Sequence, residues 1–530
     1  MGVKKIMDTF FASMQEQSMA GYGGRLVNTP MGPFRWNDTM QLWENVNNGM
    51  VMNNISFQDS IMMLDYASYD GGNLPSITIS GPTPLLSINF AGETLGSVFT
   101  VTRSTSAFTV NTDNTISSVL GNQPKYILGS DYYNNGLLVE KGTTNYIYNS
   151  STLDTTVPIA SGGWTSISCT MVTDNSVLNP KGEEGSMKLT ATAKTFVSGA
   201  RYSIEIAGTT ANDYWAYSAW VRAGSVNTAT LYVLGVQNSR NYNGQVGIPC
   251  NVKILTGPGK VAPSKGGETW WKAVTELSSS EWTRVQWTPT SPIYNAFVEN
   301  NGVTLNFIVP NLYIGTYEGL GVQGVNPGDS IYVWGAQYES GPYTTSYIET
   351  SGVGSNLYRA PDRVVDFNIQ NDWFNGSCGS FLVEFDRRSD DYNTEQNFTR
   401  TVIATGITSN KHIYIGYTSG SNYGIFGWFD GSTLISGLSE TNKFAFSYIR
   451  GITGQITASL NGNNATLYNI GNINELGCGT NWLSIGAKLS YNTPTSLLPA
   501  SLTGFTDTTV KSLKYWNYVL TAEQLKAQSS

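Results

Sequence analysis

Beyond residue 63 the chain is written in short apolar–polar alternations. "PSITIS", "LLSINFAG" and "VFTVTRSTSAFTV" each stop at Gly, Pro or Asn. The texture continues through "SMKLTAT", "YSIEIAG", "YWAYSAWVRAG", "TATLYVLGV", "WTRVQWTP", "TLNFIVP" and "SIYVWGAQYE". It returns in "GSFLVEFD", "FAFSYIRG", "ITASLNGNNATLYN", "WLSIGAKLS" and "TTVKSLKYWNYVL". Period two places successive side chains on opposite faces of a strand, so these runs predict half-buried antiparallel strands rather than helices. The middle stretch alone holds enough strands for a two-sheet sandwich. Only the end reads as helical, with Thr521 capping "AEQLKAQ" and Glu523 and Gln524 in its first turn. The predicted class is mostly β, tandem β-sandwiches after an extended or helical N-terminal arm.

Composition agrees and narrows the function. At 530 residues the chain exceeds one hydrophobic core, so about two to four domains are expected. Only 13% of residues are charged, while Tyr 30, Phe 20 and Trp 14 stand among 56 glycines. The lone histidine, His412, leaves little for histidine metal sites or Ser-His-Asp catalysis. A net charge of −8 with no Lys/Arg block argues against a nucleic-acid backbone as partner. No long apolar run predicts membrane insertion, and the N-terminus has no signal-peptide core. Cys169, Cys250, Cys378 and Cys478 match no zinc spacing and suit assembly in a reducing cytoplasm. Cys378 and Cys478 could pair, with buried free thiols as the alternative.

The first 63 residues differ from the rest and carry ten of the twelve methionines. Residues 1–20 predict a short helix with Phe10 and Phe11 near one face. The next stretch, "GYGGRLVNTPMGPFRWNDTMQLWENVNNGM", is broken by Gly and Pro, yet it holds Phe34, Trp36 and Trp43. Met and aromatic anchors without a core of their own predict a docking segment. Phe10, Phe11, Phe34, Trp36 and Trp43 are its candidate contacts. The alternative is an arm folded back on its own domain.

A resemblance emerges at "RSTSAFTV", "PKYI" and "GLLVEKGTTNYIYNSS". These segments resemble a module recurrent in virion proteins of tailed bacteriophages, through Arg103, Phe108, Gly136, Leu137, Leu138, Glu140, Thr144 and Asn145. An Arg commonly precedes the Thr-Asn pair; here Thr143 stands there, so any anchor it provides must come from elsewhere. Trp164, "NPKGEEGSMKLTAT", "YSAWVRAG" and Trp282 resemble a carbohydrate-binding-module-like jelly roll. Its closing strand is similar through Trp334, Gly335, Ala336, Gln337, Glu339, Pro342, Thr345, Ser346, Tyr347 and Ile348, and the link that follows through Arg359, Ala360 and Asp362. Beyond it, "GSFLVEF", "ASLNG", "LSIGA" and "VKSLKYWNYVLTAEQL" resemble a concanavalin-like or laminin-G-like sandwich.

The resemblance implies a virion-docking arm over 1–65 and a small β region with a connector over 66–151. A jelly-roll sandwich over 152–352 and a lectin-like sandwich over 353–530 follow. It implies a fibre or appendage, a homotrimer, contacting other virion proteins and host-surface glycan, assembled in the host cytoplasm and resident in the virion. The competing reading is a capsid, neck or collar decoration protein. No heptad or triple β-helix repeat enforces a trimer. Glu140 reads as structural, Asn145 as satisfying a local turn, and Leu137, Leu138 and Val139 as contact between units.

Candidate glycan contacts are Tyr423, Trp428 and Asp430 in "SNYGIFGWFDG", and Trp271 from the tandem Trp270-Trp271, of which one ring should be exposed. Core packing is the alternative for each. "DYWAYSAW" spaces Trp215 and Trp220 for core packing on one strand face. A depolymerising enzyme would need two carboxylates about 5 to 9.5 Å apart. Glu268, Glu276, Glu384 and Asp386 are scattered, so no enzymatic activity is expected. No cofactor is implied beyond a structural Ca2+, for which Asp390 and Asp391 in "RRSDDYN" are the candidate ligands and a solvated loop pair the alternative.

Overall fold

The computed structural model describes residues 26–29, 32–37, 42–45, 51–52, 84–90, 95, 99–127, 135–153, 163–195, 197–205, 214–236, 246–263, 271–291, 307–315, 325–351, 357–366, 374–375, 378–386, 399–408, 411–418, 423–428, 431–439, 441–449, 454–469, 482–486, 488–490, 501–503 and 508–530. Every strand pairing among them is antiparallel or a single antiparallel bridge. No described helix is long and apolar enough to cross a membrane.

The Gly- and Pro-broken segment of the arm forms regular structure. Leu26–Thr29, Gly32–Asn37, Leu42–Asn45 and Val51–Met52 make a four-stranded antiparallel sheet, with Trp36 opposite Trp43. Pro33 is tolerated because it pairs only with Asn28, at the start of its strand, before the third strand joins. The helix expected over 1–20, with Phe10 and Phe11, lies outside the described residues. So do the side chains of Phe34, Trp36 and Trp43.

Two sandwich-like units follow, and one is inserted into the other. The framing unit pairs two sheets. The first runs, in spatial order, Thr466–Asn469, Gln455–Leu460, Thr441–Ile449, Cys378–Asp386, Thr508–Trp516, Gly136–Val139 and Lys125–Ile127, with Leu86–Asn89 also on Thr508–Trp516. The second runs Gly431–Ser436, Tyr423–Trp428, Lys411–Thr418, Thr399–Thr408, Trp482–Ile485, Arg363–Asp366 and Thr100–Thr102. Residues expected to make a small unit over 66–151 therefore contribute strands to both sheets. One core joins them, with Phe381, Val383, Phe385, Phe444, Leu513 and Val139 meeting Val101, Val364, Ile403, Ile415, Leu483 and Ile485. The helix Ala522–Ser529 closes the chain. Thr521 and Gln524 exchange the reciprocal bonds of a capping box, and Leu525 is buried.

The inserted unit also has two sheets. One runs Cys169–Asp174, Ser186–Ala191, Ser330–Ser340, Trp215–Ala223, Thr283–Pro289 and Cys250–Thr256. The other runs Trp164–Ile167, Gly199–Tyr202, Phe307–Ile314, Ala229–Val236, Trp271–Thr275 and Lys260–Val261. Leu189, Tyr217, Ala219, Val221 and Tyr338 from the first meet Ala200, Leu231, Val233, Val274 and Leu312 from the second.

Alternation along Trp215–Ala223 corrects one expectation. Trp215, Tyr217, Ala219 and Val221 face the core, so Trp220, five positions from Trp215, faces outward. Trp215 stacks on Tyr338 at 5.2 Å between centroids, whereas Trp220 packs edge-on against Trp334 and Tyr347.

The neighbouring strand Ser330–Ser340 changes phase midway. Ile331 and Val333 face the core, as do Ala336 and Tyr338. The pairing register shifts opposite Ser218–Trp220, where Gly335 adopts φ +63. This bulge turns Gln337 and Glu339 away from the apolar core and toward the segment by which the chain leaves the unit.

Candidate functional site

The chain enters the inserted unit at Thr143–Asn145 and leaves it at Leu357–Arg359, and these two strands pair with each other. The strands zip the two crossings together and bring residues more than 200 positions apart into one junction.

Asn145 is satisfied on both ends of its amide. Its Nδ2 donates to the carbonyls of Ala336 and Ile348 at 3.2 and 2.8 Å. Its Oδ1 accepts from the N–H groups of Ile147 and Tyr338, both at 3.1 Å. The expected local turn bond, to Ile147, is thus one of four, and the other three reach across the unit. Gln337 repeats the device, its Oε1 accepting from the Ile348 N–H at 2.8 Å.

Glu140 sits beside this zipper and is completely buried. Arg359 Nη1 donates to it at 2.7 Å, and the Ser346 N–H and hydroxyl at 2.7 and 2.6 Å. Lys125 Nζ donates to the same carboxylate. Burial alone would push the Glu140 carboxyl up. The Arg359 and Lys125 charges, with the hydrogen bonds from Lys125 and Ser346, outweigh burial and hold it well below the usual carboxylate range.

Asp362 continues the network. Arg103 Nη1 donates to it at 2.6 Å, Lys125 lies 2.8 Å away, and the Glu140 N–H donates to it at 3.0 Å. The Asp362 N–H returns a bond to the Glu140 carbonyl at 3.0 Å. Arg103 also donates to the carbonyls of Thr105 and Leu120, fixing both ends of the hairpin Ala107–Val110 and Ile116–Val119. The Arg359 Nη2 group donates to the Lys141 carbonyl at 2.9 Å. The anchor that Thr143 does not supply is therefore Arg359, the residue paired opposite it.

The third carboxyl, Glu339, behaves differently. Burial pushes it up, against the lowering effect of the Lys141 and Arg359 charges and of bonds from Thr345. It accepts from the Thr345 hydroxyl at 2.9 Å and from Gln337 Nε2 at 3.0 Å.

Apolar contacts flank the charges. The hairpin residues Val110 and Ile116 pack on Trp220, Trp282, Trp334 and Tyr347 of the inserted unit. Leu138 and Ile127 meet Leu255, while Leu137 and Val139 enter the framing core. Every charged side chain of the network is at most 3% exposed. Such an arrangement offers no open face for a substrate; it fixes one unit against the other.

The other candidates fall elsewhere. Trp271 is 7% exposed, on the outer face of its sheet with Tyr232, Leu234, Val309 and Tyr313. An exposed glycan platform is not what it provides, because that outer face is itself covered. Trp270 lies outside the described residues, as do Asp430, Asp390, Asp391, Glu268 and Cys478. Tyr423 and Trp428 bound one strand, with Trp428 opposite Gly431, and only their backbone is described. That hairpin is the edge of its sheet. His412 lies on a strand opposite Gly406. Glu276 pairs with Lys260 on the surface, Glu384 accepts from Ser512, and Asp386 is bound by Lys511 and Thr441. Among the described residues no cluster of three His, Cys, Asp or Glu could hold a metal ion.

Arg103, Glu140, Asn145, Ser346, Arg359 and Asp362 are legible in the sequence through the resemblance, whereas Lys125 is marked there only by its place in "PKYI".

No family model and no curated protein matches the chain. Among solved structures, the chain is similar to the CBM40 module of the Ruminococcus gnavus IT-sialidase. The form bound to α2,3 sialyllactose matches at 12% identity and a TM-score of 0.23, over 29% of this chain and 83% of that one. The form bound to α2,6 sialyllactose matches at 11% identity and a TM-score of 0.22, over 31% and 92%. The likeness to this carbohydrate-binding module is distant and partial.

Proposed function

We propose that this chain is a structural protein of a tailed-bacteriophage virion. It is a fibre or appendage held to the particle by its N-terminal arm, and it does no catalysis. One observation carries the reading. The residues that resemble phage virion modules, namely Arg103, Glu140, Asn145, Gln337, Glu339, Ser346, Arg359 and Asp362, are among the residues that build the buried junction. A buried joint of this kind fixes the two units against each other, which suits a projecting appendage. Host-glycan adhesion is the second part of the proposal and falls to the edge hairpin Tyr423–Trp428 and Gly431–Ser436.

The test is immunogold labelling of purified phage particles with antibody to the full chain, viewed by negative-stain electron microscopy. Label on the tail or baseplate is the expected result. Label on the head or neck would favour a decoration role, and its absence from particles would overturn the virion reading.

A further inference from the structure

Lys125, Asp362 and Glu140 form a set able to react with one another. Lys125 Nζ lies 2.8 Å from Asp362 Oδ2 and donates to Glu140 Oε2, with the three side chains 0%, 3% and 0% exposed. Condensing an amine with a carboxyl requires a neutral amine, a polarised carboxyl and exclusion of water. Three cations, Arg103, Lys125 and Arg359, contact two carboxylates, Glu140 and Asp362. A guanidinium does not give up its proton inside a protein, whereas an ammonium can. Of the three cations, only Lys125 carries a proton that can pass to a neighbour, and Asp362 Oδ2 lies 2.8 Å from its Nζ. Asp362 is polarised at both oxygens, by Arg103 on Oδ1 at 2.6 Å and by the Glu140 N–H on Oδ2 at 3.0 Å. Donors so placed stabilise the oxyanion of a tetrahedral centre.

We propose that Lys125 and Asp362 form an intramolecular isopeptide bond, with Glu140 positioning the Lys125 amine. One ammonium proton passes directly to Asp362 Oδ2, 2.8 Å away, and the freed Nζ lone pair attacks Cγ. A second proton follows as the Cγ–O bond breaks, so that oxygen leaves as water and the Nζ–Cγ amide remains. One ammonium and one carboxylate become one amide and one water, with no redox change and no co-reactant. The bond closes a loop that contains the whole inserted unit, so tension along the chain bypasses residues 146–350. This inference stands independently of the virion reading.

The test is the intact mass of the denatured full-length chain, followed by tryptic mapping. The expected mass is one water below that of the sequence. Peptide 104–141, uncleaved at Lys125, should be joined to peptide 360–363. Lys125→Arg keeps the cation but removes the primary amine, and should restore the full mass. A wild-type chain of full sequence mass overturns the proposal, as does a water loss that persists in Lys125→Arg. Loss confined within peptide 104–141 would mean Glu140 is the acceptor and would overturn the assignment to Asp362.

Discussion

Glu140 and Arg359 stand 219 positions apart and meet at 2.7 Å in the junction, neither more than 1% exposed. A charge buried this way is tolerated only while its partners stay in place. Removing one leaves the other desolvated without compensation, typically at a cost of about 3–5 kcal/mol. Arg359→Ala should therefore lower the unfolding free energy by an amount in that range and shift the denaturant midpoint down accordingly. Lys260 and Glu276 also meet, at 2.9 Å, but are 70% and 58% exposed. Lys260→Ala should leave the midpoint unchanged, since solvent screens such pairs. Equal effects from the two substitutions would contradict the assigned importance of the junction.

The two carboxyls Glu140 and Glu339 should respond to pH with opposite signs. Glu140 is held below its ordinary value of 4.5, so its stabilising contribution is present above that value and lost as pH falls through the folded one. Glu339 is raised above 4.5, so its contribution is complete below that value and lost as pH rises through the folded one. Melting curves should show the acid-side loss becoming shallower in Glu140→Gln. Wild type should gain stability relative to Glu339→Gln as pH falls from about 7 toward the ordinary carboxylate value. Parallel curves for wild type and Glu339→Gln would refute the second assignment.

These assignments show where sequence reading reached and where it stopped. Strand texture was legible because period two is local, as in "GSFLVEF", whose Phe381, Val383 and Phe385 face the core as the alternation requires. The capped terminal helix was legible for the same reason. Glu140 appeared alone because its partners lie 15, 206 and 219 positions away. Asn145 looked like a local turn because one of its four bonds is local. Strand alternation alone places Trp215 and Trp220, five positions apart, on opposite faces, so their spacing does not favour one core face. The phase change at Gly335 depends on a positive φ that no hydropathy pattern announces. Nor could local pattern reveal that Leu86–Asn89 and Thr508–Trp516 pair across the inserted unit.

Gly335 provides a direct test of that phase change. At φ +63 a side chain costs about 1–2 kcal/mol in backbone strain alone. An added Cβ would also sit 2.7 Å from Trp220 Cε3, in a packed aromatic group, and overpacking of this kind adds about 1–3 kcal/mol. Gly335→Ala should thus lower the melting temperature and alter the near-ultraviolet signal of Trp220 and Trp334. Gly182 has φ +79 with nothing within 4 Å of an added Cβ. Gly182→Ala should show only the smaller backbone effect and leave the aromatic signal intact.

The described cysteines should be chemically silent in the folded chain. Cys169, Cys250 and Cys378 are free and buried. Burial pushes their thiols up, to about 11, about 12 and about 12 respectively, so little thiolate exists at neutral pH. A thiol reagent with peptide mapping should label all three only after denaturant is added. Rapid labelling of any of them in the native chain would contradict the packing assigned to it.

Trp271 and Trp428 separate a core role from a binding role. Trp271 packs with Tyr232, Val309 and Tyr313, so Trp271→Ala should cost about 3–5 kcal/mol. Any loss of glycan binding in that variant should follow the loss of folded protein. Trp428 lies at the turn end of its strand, opposite Gly431, in the edge hairpin to which adhesion is proposed. On the adhesion proposal, Trp428→Ala should lose retention on bacterial surface polysaccharide at an unchanged melting temperature. A lowered melting temperature with full retention would assign Trp428 to the core and remove the hairpin from the adhesion proposal.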